Sequence, residues 1–265
     1  MRKLFSFIIM IGLFTFSSFS NAETSQEKGF RIAAKSDRMD NGFGTSIAKL
    51  TMTLTNSAGD STKRELEIKT KEKPNENVGD KSVTFFFTPP DVEGTALLSH
   101  SKILDSDDQW LYLPELARVK RISSSNKSGP FVGSEFAFED LTAAELGKYS
   151  YEWLEDTTLD GLKVDKIKQI PLYQRSGYTY LIAYIDKDIN QLRKIEFFNR
   201  GGAHFKTLTQ SEFKNYGGTI YRPMVQQMDN HLTGKSTTLR VEVYEFGIEL
   251  NENEFGQDIN GDGTI

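Results

Sequence analysis

Most of the chain consists of short segments of alternating apolar and polar residues, separated by turn signals. Segments such as IAKLTMTLTN, KSVTFFFT and TLRVEVYEF are rich in Thr, Val, Ile and Phe, which favour strands. Turn signals such as Ala58-Gly59-Asp60, Asp160-Gly161 and Thr233-Gly234 recur roughly every 8 to 14 residues, as in antiparallel hairpins. The pattern predicts a mainly β (α+β) chain with one antiparallel sheet of about 11 to 13 strands.

Two stretches carry helical patterns. Residues 30–40 show a weak apolar stripe. Residues 142–148 begin with Thr142 and Glu145, at the spacing of a capping box. We therefore expect helix chiefly in these two regions, where it would help to cover the sheet.

Several predicted strands are apolar on both faces. In GYTYLIAYI, Tyr178, Tyr180 and Tyr184 lie on one face, and Leu181 and Ala183 lie on the other. The segments VTFFFT and WLYL show the same property. An antiparallel sheet with one solvated face should alternate instead. Part of the sheet must therefore be covered on both sides, either in a filled barrel or around a concave apolar surface left for a ligand.

The N-terminus and the charge balance indicate an exported protein. Residues 1–22 have the pattern of a cleavable signal peptide, because a basic start and an apolar run precede Ser20-Asn21-Ala22. The apolar run is shorter than the roughly 20 residues of a spanning helix, which disfavours a membrane anchor. The chain has no cysteine, which suits a bacterial periplasm. Removing 22 of the 265 residues leaves 243, with 30 basic and 37 acidic side chains, so no nucleic-acid partner is expected.

Three blocks in the centre of the chain resemble the LolA-like family of outer-membrane lipoprotein-sorting proteins. They are PPDVEGTALL (89–98), DDQWLYLPELARVKRI (107–122) and SNKSGPFVGSEFAFEDL (125–141), in this order. The resemblance implies that residues 23–250 form one strongly curved antiparallel half-barrel, whose hollow receives acyl chains under a few covering helices and a lid loop. It also implies a lipid or acylated lipoprotein as cargo. An inner-membrane exporter of the resistance-nodulation-division (RND) type is a candidate partner.

The strand WLYL supplies candidate residues for the wall of the hollow. Trp110 and Tyr112 share one side of an extended chain, and Leu111 and Leu113 share the other. The strand register decides which pair faces inward, because a shift of one residue exchanges the two faces. Trp110, Tyr112 and Leu113 are the predicted contacts for acyl chain, and ordinary core packing is the alternative for each.

The connection from residue 123 to residue 141 is a candidate lid. It is 19 residues long and carries Phe131, Phe136 and Phe138 among glycines and serines. A connection of this length usually has a binding role or a structure of its own. We predict that its phenylalanines cover the hollow, with a loop that is merely pinned by three aromatic rings as the alternative.

Two arginines next to the lid are candidates for a head-group site or a lid latch. Arg118 and Arg121 could bind a lipid phosphate, since guanidinium groups present a planar bidentate fork. They could equally bond the lid carboxylates of Glu135, Glu139 and Asp140. The alternative is a solvated strand edge, where each ion pair contributes about 1 kcal/mol or less.

Catalytic and cofactor motifs are absent from the sequence. His100, His204 and His231 are far apart in the chain, and there is no nucleophile elbow, phosphate-binding loop or cysteine nucleophile. We expect no cofactor and no enzymatic activity, with a periplasmic enzyme as the remote alternative. A lipid or lipoprotein sensor of the RseB type shares the implied fold and is the nearer alternative, although no second domain is apparent.

The last residues form an acidic segment. Residues 251–265 are predicted to be a flexible tail beyond the domain. Asp258, Asn260 and Asp262 match the first positions of an EF-hand calcium loop, but the chain stops before the glutamate that completes such a site. No metal is therefore predicted, and a weak calcium contact is the alternative.

A mature protein that begins at Glu23 is the outcome expected from the signal-peptide pattern. Intact-mass measurement of protein released from the periplasm should show a chain that lacks residues 1–22. Recovery of the uncleaved chain in the membrane pellet would contradict this expectation.

Overall fold

In the part of the chain that the structure describes, thirteen antiparallel strands form one strongly curved, unclosed sheet. The structure is a computed structural model and describes residues 22–73, 75, 77–143 and 145–257. Residues 1–21 of the predicted signal peptide and the calcium-loop motif at 258–262 lie outside the described residues. The predicted fold class and strand number are confirmed.

The strands follow one another as hairpins in two halves of the chain. Across the sheet the order is β6-β5-β4-β3-β2-β1-β13-β12-β11-β10-β9-β8-β7. Their bounds are β1 Thr45–Thr55, β2 Ser61–Lys71, β3 Lys81–Thr88, β4 Ala96–His100, β5 Asp108–Leu113, β6 Arg118–Arg121, β7 Tyr149–Leu159, β8 Leu162–Pro171, β9 Tyr178–Asp186, β10 Leu192–Asn199, β11 His204–Tyr216, β12 Ile220–Asn230 and β13 Lys235–Phe246. Pairing of β1 with β13 joins the halves, so β6 and β7 lie at opposite edges.

A single α-helix, α1 (Ser25–Asp40), occurs among the described residues. It begins five residues before the predicted position, because Thr24 and Glu27 form a capping box, a signal that the sequence carries. Gly29 lets the helix approach β7 closely, since a Cβ at this position would lie 2.6 Å from the backbone nitrogen of Trp153. No described helix has both the length and the apolar character needed to cross a membrane.

The helix predicted at residues 142–148 is wrong. Thr142 has extended backbone angles (φ −122°, ψ 159°), and only Leu146–Lys148 form a turn of 3₁₀ helix. The Glu145 side chain does not cap a helix but pairs with Lys73 at 2.9 Å, and Lys148 pairs with Asp107 at 2.5 Å. These buried long-range ion pairs override the local capping pattern.

The concave face of the sheet carries the main core. Leu111 on β5, Met52 on β1 and Leu181 on β9 belong to one buried cluster, although β5 and β9 lie near opposite edges of the sheet. Side chains from such distant strands can share a cluster only across the inner face of a curved sheet. The apolar inner face is therefore continuous from one half of the chain to the other.

The outer face of β3, β4 and β5 is covered by the C-terminal segment. Phe255 lies in a 3₁₀ helix (Glu252–Phe255) and is buried with Phe85, Leu98 and Trp110. Residues 251–257 were expected to be flexible, but instead they pack on the sheet, where Glu254 also pairs with Lys69. This cover explains why VTFFFT and WLYL are apolar on both faces.

The outer face of β8, β9 and β10 has a different cover. Ile182 and Tyr184 are buried in an outer cluster, and the Lys166 and Lys194 ammonium groups lie 5.6 and 4.9 Å from the centre of the Tyr184 ring. Lysine side chains can cover apolar surface in this way while their charged ends remain in water. The outer apolar face of β9 is therefore covered without a further helix or strand.

Tyr178 departs from the strand pattern predicted for β9. It was placed on the same face as Tyr180 and Tyr184, but its ring belongs to the inner cluster. The pairing of β9 with β10 shifts register between Phe198 and Asn199, and such an irregularity reorients the side chains next to it.

Replacing Phe255 by alanine tests the C-terminal cover. Loss of a fully buried phenylalanine is expected to lower the free energy of unfolding by about 3 to 5 kcal/mol, measured by urea denaturation. Leu232→Ala is the matched control, because Leu232 is 67% exposed and its loss should change stability by less than about 0.5 kcal/mol. Equal effects of the two substitutions would show that residues 251–257 do not belong to the folded unit.

Candidate functional site

The connection between β6 and β7 crosses the open side of the curved sheet. Its central part, residues 123–141, is named the plug here. Phe131, Phe136 and Phe138 of the plug are all buried in the inner cluster. The Phe131 ring lies 5.6 Å from Phe86 of β3 and 5.7 Å from Phe138. The plug thus fills part of the concave side with aromatic rings.

The backbone of the plug is held by hydrogen bonds of its own and by side chains of the sheet. Phe131 N donates to Phe136 O at 2.7 Å, which closes a turn with positive φ at Val132 and Gly133. Arg64 of β2 donates to Val132 O at 2.5 Å, and Gln109 of β5 donates to Phe138 O at 2.8 Å. The N-terminal half of the sheet therefore holds the plug by donating hydrogen bonds to the backbone carbonyl groups of the plug.

The C-terminal half of the sheet holds the plug by bonding the carboxylate groups of the plug. Asp140 pairs with Lys206 of β11 at 2.6 Å and accepts a hydrogen bond from Tyr178 at 2.6 Å. Both charged side chains are nearly inaccessible, at 7% and 4% exposure. Glu139 accepts hydrogen bonds from Tyr173 at 3.0 Å and from Gly177 N at 2.8 Å, and burial raises the pKa of Glu139.

The predicted latch by Arg118 and Arg121 is wrong. Both side chains are exposed on β6, at the edge of the sheet, and Arg121 pairs with Asp108. The carboxylates expected to meet them are bonded elsewhere, including Glu135, which accepts from Asn230 at 2.6 Å. The plug crosses to the other half of the sheet, so its acidic groups meet β9, β11 and β12 rather than β6. A head-group role for the two arginines stays a prediction.

The strand register places the WLYL residues on known sides of the sheet. Trp110 and Tyr112 pack on the outer face, where the ring of Trp110 contacts His100 and the cluster around Phe255. Leu111 and Leu113 pack on the inner face. Of the predicted wall residues on this strand, Leu113 therefore lies on the concave side, whereas Trp110 and Tyr112 do not.

A hollow of about 440 Å³ lies beside the plug, between α1 and the inner face of the sheet. Its volume falls within the range of sites that hold one small molecule. Part of its lining is apolar and aromatic, as expected for a ligand-binding hollow. These side chains include Ile68, Leu141, Tyr149, Tyr151, Ile195 and Tyr244.

The rest of the lining is polar, which the prediction of an apolar hollow missed. Gln169, Gln191, Gln210 and Gln226 line the hollow, and Gln210 donates to Gln226 at 3.2 Å. A polar residue within a strand is usually assigned to the solvated face. The segment MVQQM carried a signal that Gln226 faces inward. Gln226 lies two residues from Met224 and from Met228, so in a strand all three side chains share one face, and both methionines are buried.

Charged groups also line the hollow. Glu145 pairs with Lys73, and Asp40 of α1 pairs with Arg222 of β12. Burial, together with the neighbouring Glu145 carboxylate, raises the pKa of Asp80 to about 6. The hollow is thus an amphipathic site with carboxylates at its wall.

The structure brings together two histidines that are distant in the sequence. The Nε2 atoms of His204 and His231 lie 2.9 and 2.8 Å from Thr207 Oγ1, and their ring centres are 4.7 Å apart. His100 instead contacts Trp110. No group of three or more metal-binding side chains was found within the described residues, and the histidine pair lies away from the hollow.

Comparison with known proteins identifies the relatives of this chain. A protein-family model described as an uncharacterized protein matches residues 79–259. No curated protein matches the chain significantly. An outer-membrane lipoprotein-sorting protein domain from Vibrio parahaemolyticus is 45% identical, with a TM-score of 0.85, and the alignment covers 88% of this chain and 98% of that domain.

Two further solved structures share the fold at lower sequence identity. A DUF1329 family protein from Desulfovibrio piger is 21% identical with a TM-score of 0.83, and the alignment covers 88% of this chain and 98% of the other. A LolA superfamily protein from Nitrosomonas europaea is 19% identical with a TM-score of 0.70, covering 89% and 99%. The overall fold of this chain is therefore common to all three relatives.

The half-buried carboxyl group of Asp80 predicts a pH dependence of stability. Its pKa is raised in the folded chain, so between about pH 4 and pH 6 the folded state holds a proton that the unfolded state has lost. The stability that the folded state gains by holding this proton is fully present below about pH 4 and is lost as the pH rises through 6. Asp80→Asn should therefore raise the free energy of unfolding at pH 7 by up to about 3 kcal/mol, and by little at pH 4.

Urea denaturation of both proteins across this pH range measures the difference. Asp91→Asn is the control, because Asp91 is exposed and its replacement should change the free energy of unfolding by less than about 0.5 kcal/mol. If the free energies of unfolding of Asp80→Asn and of the unaltered protein differ by the same amount at every pH, the raised pKa assigned to Asp80 is wrong.

Proposed function

The chain belongs to the LolA-like family of outer-membrane lipoprotein-sorting proteins, and on that premise we propose that it is a periplasmic carrier of acyl chains. The cargo is a lipoprotein or another lipid, whose chains lie against the inner face of the half-barrel. The carrier moves it towards the outer membrane. No chemical step is needed for this task, so the proposed role is binding and transfer without catalysis.

The plug is the observation that carries the proposal. Three phenylalanines of a single connection lie on the apolar inner face of an unclosed sheet, next to a hollow of about 440 Å³. A sheet built only for stability could close its edges and fill its interior with strand side chains. Here the interior is filled by a separate segment that an acyl chain could replace.

The energy of acyl-chain burial favours partial enclosure. Each buried methylene contributes about 0.8 kcal/mol, so complete burial of one long chain would contribute about 12 kcal/mol before ordering costs. A carrier with such an affinity would release its cargo very slowly. Competition between cargo and the phenylalanines of the plug lowers the net gain and provides a route for release.

The Asp140–Lys206 ion pair gives the plug a defined closed position. Displacement would separate Asp140 from Lys206 and expose both charges to water or to cargo. A buried ion pair often contributes little net stability compared with apolar replacements, but removal of one partner is costly. We therefore propose that the pair sets where the plug closes, while the phenylalanines supply most of the energy of closure.

The proposed partners and location rest on the family and on the predicted signal peptide. The relative from Vibrio parahaemolyticus is described as an outer-membrane lipoprotein-sorting protein domain, which supports a periplasmic location here. An inner-membrane exporter of the RND type is the donor that the sequence resemblance suggests. The polar hollow and the plug both suit a carrier that receives cargo from one membrane and releases it at another.

Native mass spectrometry of protein purified from the periplasm tests the carrier function. We expect part of the population to carry additional mass that solvent extraction removes and that analysis identifies as lipid or acylated polypeptide. A protein that carries no extractable lipid and binds no fluorescent monoacylglycerol would contradict the proposal.

Weakening the Asp140–Lys206 pair should speed the entry of cargo. Asp140→Asn removes the charge that pairs with Lys206, so the closed plug should be destabilised and a fluorescent monoacylglycerol should bind faster in stopped-flow measurements, by about tenfold or more for a loss of 1.4 kcal/mol. Glu212→Gln, which removes an exposed pair with Arg240, is the control and should leave the rate unchanged. A lower melting temperature with an unaltered binding rate would mean that the plug is only core.

A further inference from the structure

One edge of the sheet is open. β6 (Arg118–Arg121) is the last strand on its side, and among the described strands it pairs with β5 alone. Ile122 N donates to Gln109 O of β5 at 2.8 Å. Because the backbone groups of successive residues in a strand point to opposite sides, this bond shows that the N–H and C=O groups of Val119 and Arg121 point away from β5. No described residue bonds them from the other side.

The side chains of this edge are basic. Arg118 and Lys120 are exposed, and neither forms an ion pair with another described residue. Arg121 shares the carboxylate of Asp108 with Lys102. Three of the four residues of β6 are therefore cationic, in a chain whose formal net charge is −5. Such a concentration of positive charge favours an acidic partner.

The opposite edge of the sheet is protected. α1 packs closely against the backbone of β7 at Gly29, and the pairing of β7 with β8 shifts register between Trp153 and Glu155. A covering helix and irregular pairing are two ways in which proteins keep an edge strand from pairing with another chain. The pairing of β6 with β5 is regular, so the edge at β6 remains able to accept a further strand.

Charge decides which strand the edge at β6 accepts. Two copies of β6 side by side would bring the basic side chains of both chains together, and like charges on neighbouring strands are destabilising. An acidic strand meets the same side chains with the opposite charge. Val119 lies between the basic residues and packs on the outer face beside Tyr112, so it favours an apolar residue opposite it.

From these observations we infer that β6 is a docking edge for an acidic extended segment of a partner protein, which adds to the sheet as a further strand. The inference is independent of the carrier function and adds an interaction surface. Main-chain hydrogen bonds to Val119 and Arg121 supply affinity, and the basic side chains select the partner. In an antiparallel pair, the sequence Glu-Glu-Val-Glu sets its valine opposite Val119 and its glutamates opposite the three basic residues.

Fluorescence polarisation with a labelled Ser-Glu-Glu-Val-Glu-Thr peptide tests the docking edge. We expect Arg118→Glu combined with Lys120→Glu to weaken binding at least about tenfold, because attraction becomes repulsion, with an unchanged melting temperature. Lys63→Glu combined with Lys163→Glu is the matched control. It changes the net charge by the same amount at two exposed lysines of other strands, so it should bind as the unaltered protein does. Equal weakening by the two double substitutions, or a peptide that does not bind the unaltered protein, would overturn the inference.

Methylation of the peptide amides separates strand addition from simple charge attraction. In the antiparallel pair the valine N–H points at Val119, whereas the N–H of the second glutamate, opposite Lys120, points away from β6. A peptide with N-methylvaline should therefore bind at least about tenfold more weakly, and a peptide methylated at the second glutamate should bind as the parent does. If both methylated peptides bind as the parent does, the contact is electrostatic only and the inference is wrong.

Amide hydrogen exchange gives a readout on the protein itself. Peptide binding should slow the exchange of the Val119 and Arg121 amides at least about tenfold, and should leave that of Lys120, which already faces β5, nearly unchanged. Two other occupants are tested with the Arg118→Glu, Lys120→Glu protein. Loss of binding to phosphatidylglycerol vesicles, or loss of a dimer in sedimentation, without any binding of the peptide to the unaltered protein, would assign the edge to a membrane or to a second copy and reject the inference. None of these results bears on the carrier function, which native mass spectrometry tests separately.

Discussion

The unclosed edge of the sheet is the constraint on which the rest of the structure depends. Because β6 and β7 lie at opposite edges, the chain between them must pass from one edge to the other, and it does so on the concave side. The inner face that it crosses is apolar and cannot remain in water without cost. Phenylalanines in the crossing segment meet that requirement. The plug is therefore a consequence of topology, and an apolar segment that covers an apolar groove can be replaced by another apolar chain.

Hydrogen bonds and an ion pair fix the position at which the phenylalanines of the plug pack on the sheet. The plug is oriented by Arg64, Gln109 and the Asp140–Lys206 pair, which come from both halves of the sheet. Buried pairs of this kind contribute more to a defined geometry than to net stability when an apolar alternative exists. Next to the plug, glutamines and carboxylates keep the hollow from being a continuous part of the core. The concave side thus has a part filled by the plug and a part that remains open as the hollow.

The outer face shows how strands can be apolar on both sides without a second sheet. The C-terminal 3₁₀ helix covers β3 to β5 through Phe255, and lysine side chains of β8 and β10 lie over Tyr184 of β9. These two covers leave the concave face free for the plug and the hollow. A strand that is apolar on both faces therefore indicates burial, but it does not indicate which element provides it.

The sequence by itself determined the features that depend on neighbouring residues: the number of strands, the first helix, the two-sided burial and the aromatic connection. Tertiary structure decided whatever depends on distant partners. Thr142 and Glu145 satisfy a local capping rule, yet Lys73 draws Glu145 away. Strand register, which no local pattern sets, turned Trp110 outward and Leu113 inward. Gln191 became a wall residue only because curvature brought the turn before β10 to the hollow. Local propensities are small, so a buried ion pair or a register fixed over a whole strand overrides them.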